Sequence, residues 1–311
     1  MSEAEQVPGE TQQAAGAGVE YLQGETLSVP HSGGEAPPGT PAPVGAVDCH
    51  HHIFDSRFHR AGQVQVPEAT VEDYRLFKRR LGISRSVFVA SSNYGNDPAC
   101  LLDSLSREGT DKMRGVAIVY PEVEDSALDE MHALGVRGMR IYFGKGRIPS
   151  PEAFQTMSRR AADRGWSINV VGKRNDEVLL PWEPSFRESA CPIIFDHFGW
   201  SPQPAGPASA TAQMIFRLLD TGRHYVKLSG VYLSSAVGPP GYEDLDALAS
   251  TFWQRAPDRT IWGSDWPHPI AMKDGVVPDG ASLFDMLTCW VPDPVARRKI
   301  LVDNPDRLYW S

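Results

Sequence analysis

The feature that most constrains this chain is a regular alternation of short apolar runs with longer amphipathic stretches, from about Val44 to the C-terminus. The apolar runs are rich in β-branched residues and lie between turn-forming residues, a pattern typical of buried strands. Eight strands are predicted, at residues 45–48, 86–90, 114–119, 138–142, 167–171, 192–196, 225–229 and 260–264.

The intervening stretches have helical periodicity and helix-terminating residues. Thr70-Val71-Glu72-Asp73 has the form of a capping box, and Pro151 stands in the first turn of a stretch that ends before Gly165. Helices are predicted at residues 70–81, 98–107, 125–134, 151–164, 185–189, 208–219, 242–255, 282–290 and 294–302.

Apolar strands joined by helical crossovers imply a parallel sheet covered by helices. Eight such units over residues 44–311 match the size of a (β/α)8 TIM barrel, which is the α/β fold that we predict for this catalytic domain. A doubly wound open sheet is the alternative. Its nucleotide-binding signatures, GxGxxG or GxxxxGK[ST] after a strand, do not occur.

The first 43 residues differ from the rest in composition. They contain no Lys or Arg and are rich in Gly, Pro, Ala, Glu and Gln, unlike a secretory or mitochondrial leader. Because few large apolar residues offset the chain entropy, we predict a mostly disordered, flexible N-terminal extension over residues 1–43. Tyr21-Leu22 and residues 27–29 are the parts able to dock on the body.

Charge and cysteine usage limit the classes of function. The formal net charge of −9 argues against a general nucleic-acid or anionic-membrane binder, since both need a basic surface. No apolar run reaches the roughly 20 residues that span a bilayer. The four Cys are far apart and form no CxxC, so we expect a reduced, cytoplasmic protein. The oligomeric state is not determined, and a homo-oligomer is compatible with the sequence.

Polar residues gather at the predicted strand ends, where barrel enzymes carry their active sites. His50 and His52 are two residues apart, which places both rings in the barrel interior and turns His51 outward. His197 follows strand 6. Asp265 follows the apolar strand 8, where burial is expected to raise its pKa and suit it to general-base catalysis.

Further polar residues are candidates for substrate binding. Arg140 lies on strand 4 and either pairs with an internal carboxylate or binds a substrate carboxylate bidentately. Lys145 and Arg147 follow in the next loop, and Ser92 after strand 2 is a candidate hydrogen-bond donor. The sequence contains no GxSxG nucleophile elbow, so a serine hydrolase is not indicated.

Three segments together resemble the amidohydrolase superfamily, and more narrowly its lactonase branch, which includes the pyrone dicarboxylate lactonases. They are Asp48-x-His50-x-His52, Asp196-His197, and the specific motif Trp262-Gly263-Ser264-Asp265-Trp266-Pro267-His268-Pro269. The closing residues 304–311 are also similar to that branch.

The resemblance implies roles for particular residues. Asp265 is the expected base that activates water, and His50, His52 and His197 are expected to hold or polarise the lactone carbonyl. Arg140 would bind the substrate carboxylate. Ser92 and His268 are expected at the substrate site as well.

The chain departs from relatives of this superfamily at three points. Strand 4 lacks the modified Lys, and strand 5 the His, of two-metal members, which disfavours a binuclear centre. The arginine that pyrone lactonases carry after strand 7 is replaced by residues 230–235, similar to the sugar-acid lactone isomerases. The isomerase has Asn where this chain has Asp265, and the carboxylate favours hydrolysis.

We therefore predict a hydrolase that opens a small anionic lactone, pyrone- or sugar-acid-type, by water attack on the ring carbonyl. The alternatives are a metal-dependent decarboxylase or a lactone isomerase of the same superfamily, and a non-catalytic binding barrel. No metal is expected to be required. The other possibility is one Zn²⁺, held by His50, His52, His197 and Asp265.

Overall fold

The computed structural model describes residues 24–61, 66–273 and 275–311. In it eight parallel strands form one sheet in the order β1 to β8. The strands are β1 Val47–His51, β2 Arg85–Val89, β3 Met113–Ile118, β4 Val136–Tyr142, β5 Ser167–Val171, β6 Ile193–Phe195, β7 Tyr225–Leu228 and β8 Thr260–Trp262.

The residues that follow β8 close the sheet onto β1. The backbone N–H of His52 donates to the carbonyl of Trp266 at 2.8 Å, and the N–H of Asp265 donates to the carbonyl of His50 at 2.8 Å. The structure is thus a nearly closed (β/α)8 barrel, as predicted, and the open doubly wound alternative is wrong.

Helices follow the strands and cover the outside of the barrel. They are α1 Val71–Leu81, α2 Ala99–Glu108, α3 Asp125–Ala133, α4 Pro151–Ala162, α5 Asp176–Leu179, α6 Glu183–Arg187, α7 Ala210–Leu219, α8 Val231–Ser234, α9 Asp246–Arg255, α10 Pro269–Lys273, α11 Gly280–Trp290 and α12 Pro294–Arg298. The predicted capping box at Thr70 and Asp73 is formed, and Gly82 ends α1 with a φ of 72°. Among the described residues, no helix has the length and apolar character needed to span a membrane.

The apolar core has two parts. One lies between the strands and the helices, and the other lies inside the barrel, toward the amino ends of the strands. The inner group consists of Val47, Cys49, Val87, Val89, Val116, Ile194, Tyr225, Ile261, Leu308 and Tyr309. Because apolar side chains fill the lower barrel, polar side chains of the interior are concentrated above them, toward the carboxyl ends of the strands.

The described part of the N-terminal region is packed on the barrel. Val29 is buried, and the fully buried side chain of Arg80 donates to Ser32 Oγ at 2.5 Å. The indole N–H of Trp266 donates to the carbonyl of Pro30 at 3.1 Å. The segment therefore braces the turn that follows β8.

The flexible extension predicted over residues 1–43 needs correction in this part. Residues 24–43 are fixed by backbone and side-chain hydrogen bonds, which compensate for their small apolar content. The docking considered for residues 27–29 agrees with this packing. Tyr21-Leu22 and the rest of residues 1–23 lie outside the described residues.

Candidate active site

The imidazoles of His50 and His52 reach the barrel interior because β1 is irregular between Asp48 and His51. Asp48 pairs with Ser86, but His51 pairs with Phe88, so β1 has one residue more than β2 over this stretch. Asp48 consequently turns outward although it is two residues from His50. His51 also points outward, as predicted, and stacks on Tyr74 with 3.6 Å between ring centroids.

Asp48 joins β1 to the residues after β8. Its Oδ1 accepts the backbone N–H groups of His50 at 3.0 Å and Ser264 at 2.9 Å. Its Oδ2 accepts the hydroxyls of Ser264 at 2.5 Å and Tyr74 at 2.9 Å. Burial raises the pKa of Asp48, although these donors oppose the shift. This carboxyl therefore fixes the backbone on both sides of the site.

Gly263 permits the close approach of the same two segments. A Cβ at this position would lie 2.5 Å from Cβ and 2.8 Å from the backbone nitrogen of His50, which no side chain tolerates. Only glycine therefore allows β8 to lie this near to β1.

Asp265 faces the imidazoles across the top of the barrel. Its Oδ1 lies 3.2 Å from Nε2 of His52 and 3.5 Å from Nε2 of His50, without a well-aligned hydrogen bond to either. Its Oδ2 accepts the hydroxyl of Tyr232 at 2.5 Å. The ring of His197 lies against that of His50 with centroids 4.6 Å apart, and the two ring planes are tilted by 51°. The structure thus brings together the four residues expected at the site, and Oδ1 is the carboxylate oxygen turned toward them.

The pKa of Asp265 shifts in the direction opposite to the one predicted. Burial raises it, but the neighbouring His197, His52 and His50 outweigh burial and lower the pKa below its usual value. The prediction from burial alone was wrong because it omitted these contacts. At neutral pH Asp265 is a carboxylate, the state that a general base requires.

The imidazoles are held in fixed orientations by neighbours outside the cavity. Nδ1 of His52 donates to the carbonyl of Val89 at 2.6 Å, because a carbonyl only accepts, and this directs Nε2 to Asp265. Nδ1 of His197 lies 3.0 Å from the hydroxyl of Ser229. Burial lowers the pKa of His197 to about 4, and burial together with the charge of Lys227 lowers that of His50 well below its usual value. Both rings are therefore neutral at pH 7.

A buried ionic layer lies beneath the imidazoles. The Lys227 ammonium is 2.9 Å from Oδ1 of Asp196 and 3.2 Å from Nδ1 of His50. Nε of Arg140 is 3.3 Å from Oδ2 of the same Asp196. Burial would raise the pKa of Asp196, but Lys227, His50 and Arg140 lower it well below its usual value.

This layer decides between the two roles considered for Arg140. Its guanidinium pairs with the internal carboxylate of Asp196 and also donates to the carbonyl of Ala90 at 3.0 Å. Arg140 still contributes to the cavity wall, but it is only 4% exposed. The cavity therefore presents only the edge of an already paired guanidinium, and Lys145 and Lys173 also contribute to its wall.

A cavity of about 240 Å³ opens above Asp265, His52 and His197. Its other lining residues include Ser92, Arg140, Tyr142, Lys145, Lys173 and Trp200. The Lys145 ammonium donates to the hydroxyl of Ser92 at 3.0 Å. Burial and the nearby charges of Arg140 and Lys173 lower the pKa of Lys145. Three basic side chains, Arg140, Lys145 and Lys173, thus lie near one another in the cavity wall.

Two of the predicted substrate contacts lie outside this cavity. Arg147 is exposed, forms an ion pair with Glu122 and stacks over Tyr120, beside a neighbouring cavity of about 290 Å³. His268 is fully buried behind Tyr232, with Nδ1 3.4 Å from the Tyr232 hydroxyl. Arg147 lines this adjoining cavity, whose wall also includes Ser92, Arg140 and Lys145, whereas Tyr232 lies between His268 and Asp265.

Two sets of side chains have the spacing of metal ligands among the described residues: His50, His52 and Asp265, and His50, Asp196 and His197. Both include His50, whose two nitrogens face the cations Lys227 at 3.2 Å and Arg140 at 3.4 Å. The carboxylates of Asp196 and Asp265 already balance these two charges. A divalent ion would add two uncompensated positive charges to a fully buried site, so the residues do not fit zinc.

Sequence reasoning missed four residues that complete the site. Lys227, Tyr232 and Lys173 received no role, and Asp196 entered only as part of a motif. A lysine in the middle of the apolar strand β7 was the one available signal, because a buried ammonium requires a partner. Tyr232 and Lys173 lie in loops, where the sequence gives no direction to the side chain.

Comparisons with known proteins show the family of this chain. The profile of a family described as amidohydrolase matches residues 47–310. The chain is 30% identical over 290 residues to a 4-sulfomuconolactone hydrolase from Rhizobium radiobacter, which covers 88% of this chain and 93% of that protein. It is 31% identical over 283 residues to a 2-pyrone-4,6-dicarboxylate hydrolase from Comamonas testosteroni, covering 86% and 91%.

Two further similarities extend the comparison. A D-galactarolactone isomerase from Agrobacterium fabrum is 28% identical over 279 residues, covering 88% of this chain and 93% of that enzyme. The crystal structure of a protein from Agrobacterium tumefaciens superposes with a TM-score of 0.81 at 26% identity, covering 90% and 98% of the two chains.

Proposed function

Because the chain belongs to the amidohydrolase family, we propose that it hydrolyses a small lactone carrying at least one anionic group. Two relatives that match most of the chain are named as lactone hydrolases, and this supports an enzyme acting on cyclic ester bonds. Their substrates carry carboxylate or sulfonate groups by name, in keeping with the lysines that line the cavity here.

One observation carries the proposal most directly. The carboxylate of Asp265 presents Oδ1 to the cavity beside Nε2 of His52 and Nε2 of His50, while Tyr232 occupies Oδ2. A base and hydrogen-bonding imidazoles within 3.5 Å of one another are the groups needed to add water to a carbonyl.

Asp265 is the general base of the proposed reaction. It takes a proton from water as the water oxygen attacks the ring carbonyl carbon. The tetrahedral intermediate then loses its ring C–O bond, and the leaving oxygen receives the proton from Asp265. The products are a carboxylic acid, which ionises at neutral pH, and a hydroxyl or enol on the same molecule.

The imidazoles of His50 and His197 stabilise the negative charge that develops on the carbonyl oxygen, and His52, which donates from Nδ1 to Val89, positions Asp265. The preorganised rings sit in a buried site, where a hydrogen bond to an oxyanion contributes more than in water. Lys145, supported by Ser92 and Arg140, binds the anionic group and orients the ring.

We propose that the reaction requires no metal ion. Lys227 and Arg140 already supply two positive charges next to His50, in the place where an ion would bind. The same residues keep the imidazole dipoles oriented. Polarisation of the carbonyl is therefore assigned to the protein's own groups, and no step depends on zinc.

A second candidate is lactone isomerisation, favoured by the similarity to the D-galactarolactone isomerase. Isomerisation moves the ring oxygen without consuming water, whereas hydrolysis releases one acid for each ring opened. Product analysis separates the two directly.

The test is a panel of carboxylated and sulfonated lactones followed by acid release at constant pH. We expect at least one member to be opened, and Asp265→Asn to lower kcat by about 10²–10⁴-fold, the usual contribution of a general base. Asp285→Asn, which changes an acid that binds the backbone of Gly39 and Thr40 on the surface, is the control. Full activity of Asp265→Asn on a hydrolysed substrate would exclude this base, and carbon dioxide release from the panel would indicate a decarboxylase.

A further inference from the structure

We propose that Lys227 is a positioning residue that places the single ring proton of His50 on Nε2, so that this nitrogen donates to the substrate's carbonyl oxygen. The inference rests on the proposed function, in which His50 stabilises the oxyanion. It assigns a role to a side chain that lies beneath the cavity and does not touch the substrate.

The contacts of Lys227 restrict what it can do. Its side chain is completely buried on β7, and its ammonium is 2.9 Å from Oδ1 of Asp196 and 3.2 Å from Nδ1 of His50. An ammonium group has three donors and no acceptor. A hydrogen bond between Lys227 and His50 therefore requires that Nδ1 offer its lone pair.

Asp196 fixes the position of the ammonium. Oδ1 also accepts the side-chain amide of Asn169 at 3.0 Å, and Oδ2 lies 3.3 Å from Nε of Arg140. With donors on both oxygens, the carboxylate has little freedom to rotate. Asp196 thus holds Lys227 below the ring of His50 and has no proton of its own to share.

His50 has only one ring proton to place. Burial and the charge of Lys227 hold its pKa well below the usual value, so the ring is neutral at pH 7. If Nδ1 accepts from Lys227, the proton lies on Nε2, which is 3.5 Å from the acceptor Oδ1 of Asp265. The opposite tautomer would set an N–H against the ammonium.

Two contacts oppose this assignment. Nδ1 of His50 lies 3.5 Å from the acceptor Oδ1 of Asp196, the same distance that separates Nε2 from Oδ1 of Asp265. Nη2 of Arg140 lies 3.4 Å from Nε2 of His50, and a guanidinium is also a donor. This distance is longer than that from Lys227 to Nδ1, and the guanidinium already donates to Ala90 and faces Asp196. The shorter Lys227 contact favours the Nε2–H tautomer, and so does the fact that Oδ1 of Asp196 already accepts from Lys227 and Asn169 whereas Oδ1 of Asp265 has no aligned donor.

The consequence is a donor that faces Oδ1 of Asp265, next to the place where the oxyanion is proposed to form. A preorganised donor of this kind contributes about 10²–10³-fold to kcat in known oxyanion holes. Lys227 therefore acts through His50, and its loss should lower kcat while leaving KM nearly unchanged.

The decisive measurement needs no substrate. Long-range ¹H–¹⁵N spectra of the full-length protein, labelled with [¹⁵N]histidine at pH 7, distinguish protonated from unprotonated ring nitrogens. His50 is assigned from the resonances lost in His50→Gln. We expect a protonated Nε2 and an unprotonated Nδ1 in the wild type, and the reverse pattern would overturn the proposal even if a lactone is hydrolysed.

Two variants then connect the tautomer to Lys227. Lys227→Met removes the donor and leaves the Asp196 carboxylate paired with Arg140, and Lys227→Arg keeps a cationic donor at the same position. In Lys227→Met we expect the ring proton of His50 to redistribute toward Nδ1, and kcat to fall about 10²–10³-fold with KM within about threefold. Lys227→Arg should retain the tautomer because a guanidinium also donates.

Lys78→Met is the matched control. Lys78 forms a comparably buried pair with Glu108, at 2.7 Å, on the outside of the barrel. We expect it to lose stability without changing the His50 tautomer or kcat. An Nε2–H tautomer that persists in folded Lys227→Met contradicts the proposal, whether or not kcat falls. If the wild-type protein opens no lactone, the spectra still decide the tautomer, so the two hypotheses fail separately.

Discussion

The hydroxyl of Tyr232 donates to Oδ2 of Asp265 at 2.5 Å, so that only Oδ1 of this carboxylate faces the imidazoles. Tyr232 comes from α8, directly after β7, whereas Asp265 follows β8. The contact therefore crosses between neighbouring strand ends and fixes the rotation of the proposed base.

Removing this hydroxyl should impair the base without removing it. A hydrogen bond to a charged group contributes about 1.5–3 kcal/mol, so we expect Tyr232→Phe to lower kcat by about 10–100-fold. Because the hydroxyl donates to the ionised carboxylate, its loss weakens the hold on Asp265 without protonating it at neutral pH. Tyr242→Phe, another buried tyrosine, is the control, and an unchanged kcat in Tyr232→Phe would contradict the assignment.

The two basic residues of the loop after β4 should differ in their effect on substrate binding. Lys145 lines the cavity and donates to Ser92, so Lys145→Met is expected to raise KM by about 10–100-fold. Arg147 forms an exposed pair with Glu122, and Arg147→Met should change KM by less than about threefold. Steady-state kinetics on one anionic lactone compares the two, and equal effects would show that the anion does not bind where we place it.

Removal of divalent ions should leave turnover unchanged. The buried charges of Lys227 and Arg140 are balanced by Asp196 and Asp265, and an added ion would be uncompensated. Elemental analysis of the purified protein and assays before and after chelation measure this. Activity that disappears on chelation and returns with zinc would refute the metal-free mechanism.

Stability should fall as the pH decreases from 6.5 toward 4, partly because of His224. Burial, with Arg223 and Arg187 nearby, lowers the pKa of His224 to about 4, while the unfolded chain keeps the ordinary value of 6.5. Between these values the unfolded state binds more protons, so the free energy of unfolding rises with pH. The shift corresponds to about 3 kcal/mol over the full interval.

Denaturant titrations at several pH values test this contribution. Nδ1 of His224 accepts the backbone N–H of Ile193 at 3.2 Å, a bond that the side-chain oxygen of Asn can replace. We expect His224→Asn to flatten the dependence of unfolding free energy on pH between 6.5 and 4. The same slope in variant and wild type would show that His224 is not the source.

Local sequence patterns were enough to predict the barrel. They also predicted that His50, His52, His197 and Asp265 converge. Strand-helix alternation predicts the fold, and in this fold the carboxyl ends of all strands meet on one side. The outward turn of His51 followed from strand periodicity. That of Asp48 did not, because the irregularity in β1 changes the phase of the strand.

The ionic layer was not accessible in this way. Lys227 and Asp196 meet because Phe195 pairs with Val226, a register between β6 and β7 that the sequence does not state. The sign of the Asp265 pKa shift likewise depends on which neighbours surround the carboxylate, and burial alone gave the wrong direction. Long-range pairing decides both, and composition or periodicity carries no information about it.

Gly263 affects how such sites can be found in a sequence and how they can be engineered. Gly263 sets the separation between Asp265 and the imidazoles, because even a Cβ atom at this position would clash with His50. A search for active-site residues that considers only reactive side chains would not find Gly263. Substitutions that aim to widen the range of substrates should change cavity-lining residues and keep Gly263. The distance between Asp265 and the imidazoles depends on this glycine, whichever residues line the cavity.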